Sequence, residues 1–178
     1  MEFEGIPFEV IRRRVKYSRV EFKHSGEGLR IIVPRSVNPM KVLEENRKSI
    51  LKKYYKLKKQ IETAEKIPIA DRSDHEFNAV ISLYIERYSR QLKVKMTEIK
   101  FRKMKRRWGS CRSDGIVTFN HCLRLVPERL IAYIVFHELA HLVVRGHNKK
   151  FKALIASEFP NYRQLDKELN LYGLKLLS

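Results

Sequence analysis

No stretch of this 178-residue sequence stays apolar for long. The longest uninterrupted run is Leu130 to Phe136, far short of the ~20 residues that span a bilayer, so a transmembrane helix is excluded. The opening Met1-Glu-Phe-Glu-Gly-Ile-Pro7 has neither the basic nor the apolar region of a signal peptide, and a cytoplasmic location is the expectation. Cysteine is scarce. Cys111 and Cys122 form no CxxC pair, which argues against a disulfide scaffold; reduced thiols are expected, with a disulfide across a hairpin as the alternative. There is no internal repeat, no low-complexity linker, and no helix-turn-helix, RNP or zinc-finger signature.

What the chain has in surplus is positive charge: 38 Lys and Arg against 20 Asp and Glu, a formal net charge of +18. Residues 1–70 carry +8 and residues 71–178 carry +10, so the surplus is no detachable tail. Such a field attracts polyanions, and weak, salt-sensitive, sequence-independent binding of nucleic acid or nucleotide is expected. The plainer reading is a lysine-rich surface that keeps the chain in solution.

The length fits one compact unit, an N-terminal β-hairpin plus helix (1–70) packed on a catalytic part (71–178). Val20-Glu-Phe22 and Leu29 to Val33 read as strands around a turn at 25–28. The arginines at 12–14 suit a solvated edge. Asn38-Pro39 opens a helix to about Ala64, with Leu43, Ile50, Tyr54, Leu57 and Ile61 as its apolar stripe. Its lysine run suits either a solvated face or phosphates. Ser73-x-x-Glu76 is a capping box for a second amphipathic helix bearing Phe77, Val80, Ile81, Tyr84 and Tyr88. Residues 94–125 read as strand, turn and strand, turning at Ser113-Asp-Gly115. A densely apolar helix follows from Pro127, with Gly146 as its stop, then helices over about 149–159 and 162–176.

Inside the apolar helix stands His137-Glu-Leu-Ala-His141. Residues four apart share a helix face, so both imidazoles can reach one ion. Glu138 is rotated by about 100°, beside the metal and positioned to take a proton from activated water. His147, just past Gly146, supplies a third nitrogen. Three protein ligands leave one position open, as in catalytic rather than structural zinc sites. A carboxylate such as Glu158 is the alternative third ligand. One zinc per chain is expected, with Glu138 as general base. A glycine three residues after the second histidine would mark a metzincin, and Val144 stands there.

Trp108-Gly-Ser-Cys111, Ile116 to Asn120, Tyr133 to Leu142 and His147-x-x-x-Phe151 together resemble the YgjP-like metallopeptidases, relatives of the SprT-type and Wss-type zinc proteases. The likeness is densest over 101–170. It departs at Asn148 and Lys152, where family members often carry serine and tryptophan nearby. The resemblance implies an α+β zincin-like fold, a small antiparallel or mixed sheet with the HExxH helix, the three histidines as zinc ligands and the glutamate as catalytic.

Around the metal, residues 100–112 are rich in Lys and Arg, and a strand at 104–111 would let a substrate peptide pair with its edge. Trp108 reads as a core anchor or a substrate platform. Asn120 and His121 read as transition-state donors or as plain turn polar groups. Ser110 and Cys111 have no neighbouring base and are not read as nucleophiles. Peptide-bond hydrolysis is the leading expectation. The alternatives are nucleoside triphosphate pyrophosphohydrolysis at the same metal and a protease recruited to DNA or RNA by its basic surface.

Overall fold

The computed structural model of the protein describes residues 1–23 and 26–177. They form two compact units, Met1–Lys66 and Ile67–Leu177.

The first unit holds a four-stranded mixed sheet of β1 (Glu2–Phe3), β2 (Ile6–Arg12), β3 (Arg19–Phe22) and β4 (Leu29–Val33), ordered β1-β2-β4-β3. The expected hairpin is β3–β4, with Val20 opposite Ile31; its turn begins at Ser25, outside the described residues. Beyond that hairpin, β2 lies parallel to β4, with Val10 opposite Ile31. Phe3, Ile6, Phe8, Leu29, Ile31 and Val33 meet Leu43 and Ile50 in one apolar cluster. Arg12 is tied down: its guanidinium donates to the carbonyls of Arg35 and Val37 at 2.9 and 3.2 Å.

One continuous helix was expected from Asn38, and there are two, α1 (Pro39–Glu45) and α2 (Arg47–Lys66). The Asn38 side chain accepts from Met40 N–H at 2.9 Å and starts the first. At Asn46 the side-chain amide donates to the Val42 carbonyl, and the backbone leaves helical geometry at φ −106°, ψ 9°. Asparagine competes in this way with the helix's own hydrogen bonds, and apolar spacing does not reveal it.

In the second unit, α3 (Asp74–Leu92) begins with the capping box. Ser73 Oγ accepts from Glu76 N–H, and the Glu76 carboxylate accepts from Ser73 N–H at 2.8 Å. Three strands follow, β5 (Glu98–Arg102), β6 (Gly109–Cys111) and β7 (Ile116–Asn120), ordered β5-β7-β6. β5 is parallel to β7 and β6 antiparallel to it, which leaves β6 at an edge. The candidate edge strand is thus three residues long, 109–111, rather than 104–111. A 3₁₀ turn over His121–Leu125 leads into α4 (Glu128–Val143), α5 (Lys149–Glu158) and α6 (Tyr162–Leu176).

Ten of the sixteen residues of α4 are buried, because α3, β6, α5 and α6 all pack on it. A helix enclosed on every side must be apolar nearly all round, as its sequence is. The whole is α+β, with the HExxH helix central to the second unit's core. Among the described residues no helix is long and apolar enough to cross a membrane.

Candidate metal centre

α4 presents His137 and His141 one turn apart, with ring centroids 5.1 Å from each other. The helix stops at Val143, and Val144 is already extended at φ −133°. Gly146, at φ +73°, then takes the left-handed conformation that turns the chain back. This brings His147 to the other two: His137 Nε2 and His147 Nε2 lie 3.2 Å apart, and one ligand atom from each of the three histidines lies within 4.8 Å of the others. Ligands at about 2.0–2.1 Å in tetrahedral array stand about 3.3 Å from each other, so the donor set fits a zinc-sized ion. Glu158, the alternative ligand, is engaged elsewhere, accepting from Arg87 at 3.1 Å and Gln91 at 2.7 Å.

Phe151 packs against all three rings. It stacks on His141 with centroids 4.4 Å apart and planes at 16°, and meets His137 and His147 edge-on at 5.0 and 4.9 Å. Asn148 caps α5 by accepting from Phe151 N–H at 3.0 Å, which fixes this wedge against the site. Sequence reasoning placed Phe151 in the motif without giving it work. Its position four residues after His147, in the first turn of the next helix, was the available signal.

Burial, with the neighbouring histidines, lowers the His137 pKa to about 4, and burial also lowers that of His141. In both rings this favours the neutral form, the form that can bind a metal. His137 Nδ1 is buried with no hydrogen-bond partner among the described residues, so the outer hydrogen bond that commonly orients a ligating histidine is replaced here by aromatic packing.

Glu138 is 7% exposed. Burial pushes its carboxyl up to about 7, against the opposing charge of Arg107. A bound cation would pull it down again. Across the cleft runs β6, and its first residue touches the glutamate. A Cβ at Gly109 would stand 2.6 Å from Glu138 Cγ and 2.7 Å from Oε1, closer than side chains tolerate. Any side chain there would have to push the Glu138 carboxylate aside for the strand to stay so near.

The cleft, about 670 Å³, is lined by the three histidines, Glu138, residues 107–113, Arg145 and Gly146. Trp108 is half-buried there and also packs on the core. Cys111 lines it as well, but burial pushes its thiol up to about 11, so it stays protonated. Both cysteines are free thiols. Asn120 and His121 are not in the lining. Asn120 is fully buried, donating to the carbonyls of Met104 and Arg107 at 2.7 Å and accepting from Cys122 N–H at 3.1 Å. His121 is exposed beside the Phe101 ring.

Three converging imidazoles and a buried carboxylate in an open cleft make the site of a metallohydrolase. Comparison with known families narrows this: the YgjP-like metallopeptidase domain matches residues 16–172, and the chain belongs to that family. A stretch of 53 residues is 42% identical to UTP pyrophosphatase of Escherichia coli (strain K12). That match covers 30% of this chain, and the chain spans about a third (32%) of that relative's length. Among solved structures, the metallopeptidase zymogen of Pyrococcus abyssi abylysin is similar at a TM-score of 0.44 and 22% identity, over 51% of this chain and 90% of that one. The family implies a divalent metal.

Proposed function

We infer that the protein is a zinc peptidase in which His137, His141 and His147 hold the ion and Glu138 is the general base. The observation that carries this reading is the 3.2 Å approach of His137 Nε2 to His147 Nε2 above a buried carboxylate that β6 presses against. A zinc ion there would polarise a carbonyl and lower the pKa of water. Glu138 takes the proton of the attacking water at its carboxylate and passes it to the leaving amine. The free edge of β6 can pair with an extended peptide and lay its scissile bond in the cleft. Trp108, at the lip, offers an apolar face to a substrate side chain.

The test measures zinc in the purified protein and cleavage of casein and short peptides, with and without chelator. His147→Ala should lose metal and activity together. Full zinc retention in that variant would overturn the ligand set.

A second reading is favoured by the similarity to UTP pyrophosphatase and by Arg107, Arg112 and Arg145 in the cleft lining. Guanidinium groups match phosphate oxygens in pairs, so a nucleoside triphosphate suits the same site. UTP hydrolysis without peptide cleavage, under one set of metal-loaded conditions, would put this reading first.

A further inference from the structure

Within the first unit, helix α2 carries an unbalanced charge. From Arg47 to Ile61 it has no acidic residue, and Lys48, Lys52, Lys53, Lys56, Lys58 and Lys59 fall within twelve positions. All six are exposed, and none has a carboxylate within 4 Å among the described residues. At 100° per residue, Lys48, Lys52, Lys56 and Lys59 fall within an arc of about 80°, and Tyr55 adjoins it. Lys53 and Lys58 flank this face. The array runs for about 17 Å, the reach of several successive phosphates.

Tyr55 is 57% exposed in the middle of these lysines. Its ring and that of Tyr54 form an edge-to-face pair at 5.6 Å and 72°. Cations tracking a backbone around an exposed aromatic ring are the parts of a single-strand binding surface. A lipid surface fits less well. The apolar side of α2 is turned inward, with Ile50 and Ala64 buried and Leu51, Tyr54, Leu57 and Ile61 half-buried. Little apolar surface is left to enter a bilayer interface.

We propose that this face of α2 binds single-stranded nucleic acid, with lysines on phosphates and a base stacked on Tyr55. The face draws on none of the residues that line the cleft and does not depend on what the cleft hydrolyses.

The test uses the full chain and fluorescence anisotropy with a 20-nucleotide single strand, a 20-base-pair duplex, and phosphatidylserine vesicles as competitor. Lys48→Gln, Lys52→Gln, Lys56→Gln and Lys59→Gln together should reduce the salt slope for the single strand by about 2.8, at about 0.7 for each cation removed. A control removes four charges from the other unit, by Gln at the exposed Lys95, Lys103, Lys105 and Lys167. It should change the slope by less than half as much. Tyr55→Ala should weaken the single strand at least tenfold and leave the duplex unchanged. Circular dichroism checks that each variant is folded. Equal losses in the two lysine sets, no binding by the parent protein at low salt, indifference to Tyr55, or full competition by the vesicles would each overturn the proposal.

Discussion

Two buried polar regions of the second unit are organised in opposite ways. Where β7 ends, Asn120 is fully enclosed and every polar group of its amide has a partner: two carbonyls of the 103–108 segment and one backbone N–H. On α4, at the floor of the cleft, Glu138 is nearly as buried, its carboxyl is raised towards neutrality, and His137 Nδ1 has no partner. A buried polar group with all its bonds made stabilises a fold; one left wanting costs stability. The first region shapes the wall of the site; in the second, His137 Nδ1 is held by ring packing alone, and the Glu138 carboxylate keeps its capacity for something that is not protein.

The largest effect that would separate them is expected at Glu138. Glu138→Gln keeps the size and removes the base. Turnover on the true substrate should fall by ~10²–10⁴-fold, while zinc content stays at the parent level and the melting temperature does not drop. A variant that lost its zinc or melted early would make Glu138 a structural residue like Asn120, and the contrast would fail.

Asn120→Ala should do the reverse. It strands two carbonyls and an N–H, a loss of about 3 kcal/mol, or on the order of 10 °C in melting temperature for a unit of this size. Thermal denaturation is the measurement. An unchanged midpoint with abolished turnover would move Asn120 into the reaction.

Gly109→Ala probes the contact between the two regions. The added Cβ must displace the Glu138 carboxylate, and a misplacement of about 1 Å can cost ~10²-fold in rate. Zinc content should not change, since the three atoms nearest that carbon all belong to Glu138 and none to a histidine. Undiminished kcat would show that the carboxylate's place is not critical.

The smallest effect is expected at Tyr133, whose hydroxyl donates to Asp166 at 2.7 Å and ties α4 to α6. Tyr133→Phe keeps the ring beside His137 and should cost about 1.5 kcal/mol in chemical denaturation. Zinc content and turnover should match the parent.

Much of this was legible in the sequence, for physical reasons that differ from element to element. The density of apolar residues around 130–144 could only belong to an enclosed helix, and the spacing of His137 and His141 is a property of that helix. The capping box at Ser73 was readable because both of its bonds are local. The parallel pairings β2–β4 and β5–β7 were not, since period-two alternation states which face is buried but not which distant strand lies alongside. For the same reason the sequence leaves Asn120 open between a donor at the site and a strand-end polar group. Its polarity is visible in the sequence, but the carbonyls that it satisfies lie 13 and 16 positions away. Gly109 and Phe151 looked like parts of a motif, and only the packed structure gives each a specific neighbour.

The lone tryptophan of the chain lines the cleft, and this has an optical consequence. Emission excited at the red edge of the near-ultraviolet band comes from one indole, in the lining of the cleft, with no other tryptophan to dilute it. Binding of an ion, a peptide or an inhibitor in the cleft would be followed on the unlabelled protein by colour and intensity, including in Glu138→Gln, where slowed turnover would blur the signal less.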